Sequence, residues 1–305
     1  MKQNPLVSIA MCTYNGEKYL IQQLESIQNQ SHKNLEIIIV DDCSTDGTVE
    51  ILNKFVHLDR RIKIFKNPVN IGYNKNFEKA VQLTSGEFIA ISDQDDVWMS
   101  DKIESLLAKI ADNWLIFSNS TYINSKSELL EGRILKRIDE STLTYKGLLL
   151  RNFVTGHTVL FDRKLLNYIL PIPNEGFYDW WMGFVALYHN KIIYCNKTLT
   201  QYRIHDNSVI QKALNSGGTG RNENKTILTM LTCFEAYKNL ESDSRKFIGN
   251  LKKALILSTS KLDPFPFINM VLKNYGELFP TKKKKNAIIL IIFAIRYSKR
   301  MQTRL

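Results

Sequence analysis

The sequence predicts an α/β protein with a mostly parallel central sheet, and two observations support this fold class. Short apolar runs rich in β-branched residues alternate with helix-like stretches over the first 120 residues. These runs are nearly continuous, which is typical of strands that helices cover on both faces. A chain of 305 residues that is 44% hydrophobic and 23% charged can bury a large core, so disordered and low-complexity proteins are excluded.

The individual elements follow in chain order. Strands are predicted at residues 6–12, 35–40, 62–65, 88–92 and 115–119. Apolar residues at helical spacing predict helices between them, at residues 17–30, 48–55, 75–83 and 101–110. After about residue 120 the alternation fades, and the pattern predicts helices at 160–170 and 180–188 and short strands at 192–194 and 199–202.

The excess positive charge lies in the last third of the chain. Residues 1–210 carry 23 Lys and Arg against 24 Asp and Glu, whereas residues 211–305 carry 18 against 6. A Gly- and Asn-rich stretch at 215–225 predicts a mobile loop at the boundary between these regions. We therefore expect one domain over residues 1–214, followed by this loop and a mainly helical, basic C-terminal extension over residues 215–305.

The C-terminal extension contains an apolar segment between two groups of basic residues. Four lysines at 282–285 precede the segment 287–295, and Arg296 and Lys299 follow it. Nine helical residues span about 14 Å, against about 30 Å of bilayer hydrocarbon, so the segment cannot cross a membrane. A basic, apolar helix favours contact with an anionic membrane surface; the alternative is a helix packed on the protein with a solvated lysine turn. No nucleic-acid-binding motif accompanies the charge, so we expect no nucleic-acid partner.

The cysteines and the N-terminus indicate the compartment. The four cysteines lie far apart without a CxxC pair, which favours neither a zinc ribbon nor a disulfide framework. The N-terminal apolar run is interrupted by Ser8 and reads as a first strand instead of a signal peptide. We therefore expect a cytoplasmic protein, peripheral on the inner face of the cell membrane.

Polar clusters follow three of the predicted strands, and the most acidic is the segment Ser92-Asp93-Gln94-Asp95-Asp96-Val97-Trp98. In open α/β sheets ligands bind beyond the carboxyl ends of the strands, so these clusters should meet in one crevice. Carboxylates of this kind can hold Mg²⁺ together with the phosphate oxygens of a substrate. The alternative is a solvated acidic turn that caps the next helix.

The segment that begins at Asp42 imitates the start of a calcium-binding loop. Asp42, Ser44, Asp46 and Gly47 have the spacing of an EF-hand, but the twelfth position is Asn53 instead of the bidentate Glu. The segment also lies between a strand and a helix. We expect Asp46 to be a turn or cap residue and not a calcium ligand.

Four ordered motifs over about residues 5–210 together resemble family 2 glycosyltransferases of the GT-A fold, and the stretch 70–98 resembles their bacterial rhamnosyltransferase-like branch. The motifs are Thr13-Tyr14-Asn15-Gly16-Glu17, Val40-Asp41-Asp42-Cys43-Ser44, Asn67-Pro68-Val69-Asn70-Ile71-Gly72 and the acidic segment at 92–98. The resemblance implies a Rossmann-like sheet flanked by helices. It makes residues 1–214 the catalytic domain, with a donor half at about 1–120 and an acceptor half at about 121–214.

The resemblance also implies a site for a nucleoside diphosphate sugar, linked to dTDP or UDP. Tyr14 matches an aromatic that stacks near the base, and Asp42 matches a carboxylate that accepts from a uracil or thymine ring nitrogen. Asp93 matches a residue near the ribose or the metal, and Asp95 matches a direct ligand of Mg²⁺ or Mn²⁺. The remaining residues implied in donor binding are Thr13, Asn15, Glu17, Asn70, Gly72, Lys75, Gln94 and Arg203; His205 is implied as a metal ligand, and lone histidines are also often structural.

Asp179, in Phe177-Tyr178-Asp179-Trp180-Trp181, matches the family's catalytic acid position. Inverting transfer needs one carboxylate to take the proton of the acceptor hydroxyl, which a lone Asp can do; alternatively, Asp179 only caps the following helix. Trp180 and Trp181 can form a sugar-binding wall or pack in the core. Gly156 and His157 lie in a segment that resembles the family's acceptor site.

The resemblance implies an inverting, metal-dependent transfer of a sugar, rhamnose or another hexose, to a hydroxyl of a lipid-linked or surface polysaccharide. Two other functions remain open: a magnesium-dependent nucleotidyl- or phosphotransferase, and a non-catalytic protein that binds nucleotide sugar or membrane. The sequence has no phosphate-binding GxxxxGK[ST] loop, which disfavours the former. The presence of Asp42, Asp93, Asp95 and Asp179 together disfavours the latter.

Overall fold

The computed structural model describes residues 4–135, 138–205, 219–260, 262–280, 282 and 286–302. Two compact units contain these residues. The first unit comprises residues up to 138 together with 154–174 and 189–205, and the second comprises 139–153, 175–188 and the residues after 205. The predicted boundary between residues 214 and 215 lies outside the described residues.

All nine strands of the described chain belong to one sheet in the first unit. They are β1 (Val7–Thr13), β2 (Leu35–Asp41), β3 (Ile62–Lys66), β4 (Phe88–Ser92), β5 (Val97–Trp98), β6 (Leu115–Ile123), β7 (Leu129–Arg133), β8 (Val159–Asp162) and β9 (Ile192–Arg203). Their order is β3-β2-β1-β4-β8-β6-β9-β5, with β7 paired to β6. The four strands β3, β2, β1 and β4 are mutually parallel, and β8 then joins β4 and β6 in antiparallel pairing.

Helices flank the sheet in the first unit and make up most of the second. The helices are α1 (Glu17–Gln28), α2 (Thr48–Leu58), α3 (Tyr73–Leu83), α4 (Lys102–Ile110), α5 (Tyr145–Leu148), α6 (Leu166–Ile169), α7 (Tyr178–Tyr188), α8 (Thr219–Glu235), α9 (Ser242–Thr259), α10 (Phe265–Lys273), α11 (Tyr275–Leu278) and α12 (Ala287–Gln302). None of the helices in the described ranges is both long and apolar enough to cross a membrane.

The predicted α/β fold is confirmed, and the reason lies in the burial of the parallel strands. Every residue of β2 and β4 is buried, because helices cover both faces of the sheet. The core of this unit joins isoleucines and leucines of β1 and β2 to the apolar faces of α1 and α4. This core fixes the carboxyl ends of β1, β2 and β4 beside one another.

The prediction of a helix over residues 160–170 is wrong. Residues 159–162 form strand β8, which is followed by a 3-10 turn and the single-turn helix α6. A short apolar run is compatible with a buried strand as well as with a helix. Here the run forms a strand because it pairs with β4 and β6.

Two further predictions need adjustment. The short strands expected at 192–194 and 199–202 are parts of one strand, β9, whose pairing with β6 shifts register midway. The loop expected at 215–225 is helical from Thr219 onward, since α8 begins there. Residues 215–218 lie outside the described residues.

An aromatic cluster holds α7 against α8 in the second unit. The ring of Phe184 stacks on Phe234 with centroids 4.2 Å apart, and the Trp181 ring lies parallel to Phe234 at 6.5 Å. The indole nitrogen of Trp180 donates to the carbonyl of Leu148, in α5. Trp180 and Trp181 are about 5% exposed, so both pack in this core.

A buried carboxylate, Glu36, links three segments at the amino ends of the parallel strands. The Ser8 hydroxyl in β1 donates to Glu36 Oε1 at 2.5 Å, and the backbone N–H groups of Ser85 and Gly86 donate to the same oxygen. Burial by itself would raise the pKa of Glu36, but these hydrogen bonds outweigh it and hold the pKa below its usual value. The charged carboxylate therefore stabilises the fold.

We expect Glu36→Gln to lower the free energy of unfolding by about 1 to 3 kcal/mol at pH 7, because hydrogen bonds to the charged acceptor are lost. A lowered pKa in the folded state stabilises the protein above the unfolded pKa of about 4.3, and this stabilisation is lost as pH falls through the folded pKa. Urea unfolding at pH 7 and at pH 3.5 measures the difference, which should shrink at the lower pH.

The matched control is Glu25→Gln on the exposed face of α1, which should change stability by less than about 0.5 kcal/mol. An equal effect of the two substitutions at pH 7 would contradict the role given to Glu36.

Candidate functional site

The loops that follow β1, β2 and β4 are cross-linked by polar side chains. Gln94, in the acidic loop after β4, accepts from the backbone N–H of Tyr14 at 2.8 Å and donates to its carbonyl at 3.1 Å. The side-chain oxygen of Asn15 accepts from the N–H of Thr45, and Glu17 accepts from the N–H of Gly47. The expected meeting of these three loops is therefore present in the structure.

The interior of this edge is anchored by Asp41. Its Oδ1 accepts from the hydroxyls of Thr13 at 2.9 Å and Ser44 at 2.5 Å. Asp46 accepts from the N–H and hydroxyl of Thr48, two residues further on, in the turn that leads into α2, so it is a turn residue, one of the two roles that the sequence predicts.

Asp42 organises the loop that follows β3. Its Oδ1 accepts from Asn67 Nδ2 and from the Ile71 N–H, both at 2.8 Å, and its Oδ2 accepts from the Gly72 N–H at 2.9 Å. Asn70 accepts from the same N–H, and Gly72 has a φ of 81°, a conformation that glycine adopts without strain. Asp42 is 3% exposed and holds this loop beside the ends of β1 and β2.

Apolar side chains are exposed around the same edge. Tyr14 is 49% exposed, and Ile71 and Tyr73 are 40% and 50% exposed. Exposed apolar and aromatic side chains of this kind often mark ligand-binding sites, where a planar ring of the ligand can stack on them. Lys75, predicted to bind the donor, lies in the first turn of α3, where its ammonium pairs with Glu78 at 3.1 Å and donates to the carbonyl of Ile172.

Arg203, the last residue of β9, is almost fully buried behind the acidic loop. Its guanidinium donates to the carbonyl of Asp95 at 2.7 Å and to Gln22 Oε1 at 2.6 Å. It also donates to the carbonyl of Asn124, and its backbone N–H donates to Asp96 Oδ1. The structure therefore places Arg203 as a support of the acidic loop, whereas the sequence predicts contact with the donor.

Two of the predicted metal ligands meet at this loop. His205 Nε2 lies 2.8 Å from Asp95 Oδ2, and both side chains are partly exposed. The Tyr19 ring of α1 lies 4.9 Å from the imidazole and restricts its position. Asp95 and His205 are 110 residues apart in sequence, and the register of β9 brings them together.

A second acidic group lies deeper in the loop. Asp93 Oδ2 and Asp96 Oδ2 lie 3.8 Å and 3.9 Å from His157 Nδ1. Asp96 is fully buried, and its Oδ2 has no hydrogen-bond partner among the described residues. Burial raises the pKa of Asp96 well above its usual value, and the neighbouring Asp95 and Asp93 carboxylates raise it further.

The buried surroundings of His157 include two residues that the sequence analysis misses. Ser120 in β6 forms a hydrogen bond with His157 Nε2 at 2.8 Å, and the Lys102 ammonium donates to the His157 carbonyl at 2.5 Å. Burial lowers the pKa of His157 to about 3, with a further contribution from Lys102, so the imidazole is neutral near pH 7. Nothing in the local sequence around Lys102 or Ser120 indicates these contacts, which depend on the fold.

The donor atoms at this edge fit a divalent cation. Two cis ligands about 2.1 Å from an octahedral ion lie about 3 Å apart, which agrees with the separation of Asp95 Oδ2 and His205 Nε2. A second set of ligand atoms also lies close together: one atom from each of Asp93, Asp96 and His157, all within 4.8 Å of one another. Both sets combine carboxylate oxygens, which suit Mg²⁺ and Mn²⁺, with an imidazole nitrogen, which suits ions such as Zn²⁺.

Asp179 lies near the start of α7 in the second unit. Its Oδ1 accepts from Asn152 Nδ2 at 3.2 Å and from the backbone N–H of Trp180 at 2.6 Å. These two donors fix the orientation of the carboxylate. Gly156 lies in the first unit, in a buried 3-10 turn immediately before β8.

Comparison with known proteins supports one family. A chain from Bacillus subtilis, described as the putative teichuronic acid biosynthesis glycosyltransferase TuaG, is 32% identical over 67% of this chain and 81% of its own length. A GalNAc(5)-diNAcBac-PP-undecaprenol beta-1,3-glucosyltransferase from Campylobacter jejuni is 27% identical over 95% of this chain and 94% of its own.

Solved structures share the fold. The S. aureus TarS 1–349 crystal structure in complex with UDP-GlcNAc superposes with a TM-score of 0.60, covering 98% of this chain and 90% of that one at 18% identity.

The sequence model of Glycosyl transferase family 2 matches residues 8–170, which is more than half of the chain. The chain therefore belongs to glycosyl transferase family 2 and is a glycosyltransferase with the GT-A fold.

Proposed function

We propose that this protein transfers a hexose from a UDP- or dTDP-linked donor to a hydroxyl of a lipid-linked polysaccharide precursor, with inversion at the anomeric carbon. The observation that carries the proposal is the Asp95–His205 pair at the carboxyl edge of the parallel strands, beside exposed Tyr14. The Campylobacter jejuni relative has an undecaprenol diphosphate glycan in its name, and TarS binds UDP-GlcNAc. Rhamnose stays among the candidate sugars because of the motif at 70–98.

The donor's base lies against Tyr14 in this proposal, and its ring nitrogen donates to Asp42. Asp42 already accepts three hydrogen bonds, which orient its carboxylate, and the ring nitrogen would be a further donor to it. Gln94 and Asn15 hold the Tyr14 loop in place. The loops that hold the donor also contain four other predicted donor-binding residues: Thr13, Glu17, Asn70 and Gly72. Two more act indirectly, because their side chains support backbone carbonyls at the edge of the site: Lys75 and Arg203.

In this proposal Asp95 and His205 would hold a divalent cation, Mg²⁺ or Mn²⁺, and Asp93 would lie near the ribose or the ion. Such a cation would neutralise charge on the leaving nucleoside diphosphate. Asp95 presents Oδ2 to the pair, while Arg203 donates to its carbonyl. The guanidinium therefore fixes the backbone and leaves Asp95 Oδ2 as the oxygen that would bind the ion.

The chemical step follows from the position of Asp179 in the family motif and from its local environment. The acceptor hydroxyl oxygen forms a bond to the anomeric carbon as the bond from that carbon to the diphosphate oxygen breaks. The hydroxyl proton passes to the Asp179 carboxylate, and the nucleoside diphosphate leaves with the electron pair of the broken bond. Asn152 and the Trp180 N–H hold the carboxylate in one orientation.

The proposed acceptor residues act mainly by packing. Trp180 and Trp181 are buried in the aromatic cluster of the second unit and shape the surroundings of Asp179. Gly156 and the neutral His157 form a buried turn before β8. Because the proposed acceptor is lipid-linked, we place the protein peripherally at an anionic membrane, on its cytoplasmic face.

Asp179→Asn should bind UDP with an affinity within about twofold of the wild type but lower kcat about 10² to 10⁴-fold, since an amide cannot take the proton. Asn keeps a side-chain oxygen that can accept from Trp180 and Asn152. Release of nucleoside diphosphate from a panel of UDP- and dTDP-sugars, with calorimetric UDP binding alongside, measures both quantities.

The control is Glu175→Gln, an exposed carboxylate four residues earlier, which should leave kcat unchanged. Turnover of Asp179→Asn at the wild-type rate would remove Asp179 from the mechanism. Binding of donor without release by the wild-type protein would favour a non-catalytic role.

Asp95→Ala and His205→Ala should each weaken Mn²⁺ binding at least about tenfold, because each removes one of two adjacent ligands. Loss of free Mn²⁺ signal in electron paramagnetic resonance measures binding without any turnover. The exposed residues Asp112 and His57 supply controls, Asp112→Ala and His57→Ala, that should bind Mn²⁺ as the wild type does. Unchanged Mn²⁺ affinity in both test variants would contradict the assignment.

A further inference from the structure

The C-terminal helix α12 has one face that packs on the second unit. Ala294, Ser298 and Met301 are buried, and the hydroxyl of Ser298 lies 3.0 Å from that of Ser258 in α9. The ring of Tyr297 stacks on Phe267 of α10 at 6.1 Å. This face therefore holds the helix in a fixed position on the unit.

A second, exposed face of α12 is apolar as well. Ile288 is 71% exposed, and Ile291, Ile292 and Ile295 are 45%, 44% and 37% exposed. Their spacing of three, four and seven residues aligns them in one stripe along the helix. A helix that packs by one face normally presents polar residues to water on the other, so this stripe is the reverse of the usual pattern. We call these four residues the isoleucine stripe.

The isoleucine stripe lies between basic residues and has no acidic neighbours in the sequence. The last acidic residue of the chain is Glu277, and eight lysines and arginines follow it. The Lys282 ammonium lies over the Phe293 ring at 4.2 Å, which holds one positive charge beside the second turn of the helix. Arg296 and Lys299 are exposed just beyond the end of the stripe.

We propose that the isoleucine stripe is the surface by which this protein enters the headgroup region of an anionic bilayer. The inference deepens the proposed function, since a lipid-linked acceptor requires the enzyme to work at a membrane. The stripe covers eight residues, about 12 Å at 1.5 Å per residue, which matches the dimensions of an interfacial contact and not of a membrane span. Exposed isoleucines lose contact with water there, and the basic residues at both ends meet anionic headgroups.

The charges favour lipid over a second copy of the chain. Pairing two isoleucine stripes would bury apolar surface, but it would bring two sets of basic residues together without an acidic partner in this segment. An anionic bilayer provides both an apolar layer and the opposite charge. The sequence alone leaves two alternatives, a helix that contacts the membrane and a helix that packs on the protein. In the structure one face of α12 packs on the protein, and the isoleucine stripe is free to contact a membrane.

The test measures vesicle binding by the full chain, without donor, acceptor or metal. Phosphatidylcholine vesicles with one quarter phosphatidylglycerol are compared with pure phosphatidylcholine vesicles in co-sedimentation. We expect at least tenfold tighter binding to the anionic vesicles, and at least a tenfold loss of that binding in the double variant Ile288→Glu and Ile292→Glu. The matched control is Ile21→Glu on α1, also an exposed helical isoleucine at 47%, which should bind within twofold of the wild type.

Circular dichroism melting checks that the variants fold, and both substitutions lie on the exposed side of the helix. Wild-type binding that does not depend on phosphatidylglycerol, or unchanged binding of the double variant, overturns the proposal. A wild-type dimer that the double variant converts to a monomer, with no vesicle binding by either, overturns it in favour of a second copy.

Release of nucleoside diphosphate in the absence of vesicles separates this inference from the proposed function. Loss of vesicle binding with intact release leaves the catalytic proposal standing. Vesicle binding without release for any donor supports the isoleucine stripe and contradicts the catalytic proposal.

Discussion

The buried guanidinium of Arg203 is the interaction on which the geometry of the site depends. A charged group that is 1% exposed costs free energy unless all its donors are satisfied, and this one donates to two backbone carbonyls and two side chains. The acceptors come from the acidic loop, from α1 and from the turn after β6. The same contact aligns the end of β9 with the acidic loop, and His205 reaches Asp95 as a result.

Burial and hydrogen bonding distinguish three kinds of carboxylate at this edge. Asp41 and Asp42 are buried and accept several hydrogen bonds each, so their main effect is to shape the loops. Asp95 is partly exposed and faces an imidazole, and it is the carboxylate to which the proposed function assigns the ligand role. Asp96 is buried, and one of its oxygens has no partner within the part of the chain that the structure describes; its raised pKa follows from that burial and from the two neighbouring carboxylates. Four similar residues thus have different roles because their surroundings differ.

Much of this arrangement follows from local sequence. The sequence predicts the strand at 88–92 and the polar residues that end β1, β2 and β4, because buried parallel strands have continuous apolar sequences. The error at 160–170 has a physical reason, since pairing with β4 and β6 is not encoded in the spacing of its own apolar residues. The pairing of Asp95 with His205, and the contacts of His157 with Ser120 and Lys102, join residues far apart in sequence. Only the register of β9 and the packing of α4 bring them together.

The central claim is that the carboxyl edge of β1, β2 and β4 binds the nucleotide through an ion on Asp95 and His205. A crystal structure of the protein with UDP and Mn²⁺ tests it most directly. We predict the base beside Tyr14 and Asp42, with the ion about 2.1 Å from Asp95 Oδ2 and His205 Nε2 and in contact with the diphosphate. A nucleotide bound elsewhere, or an ion held by Asp93, Asp96 and His157 without Asp95, would contradict the account.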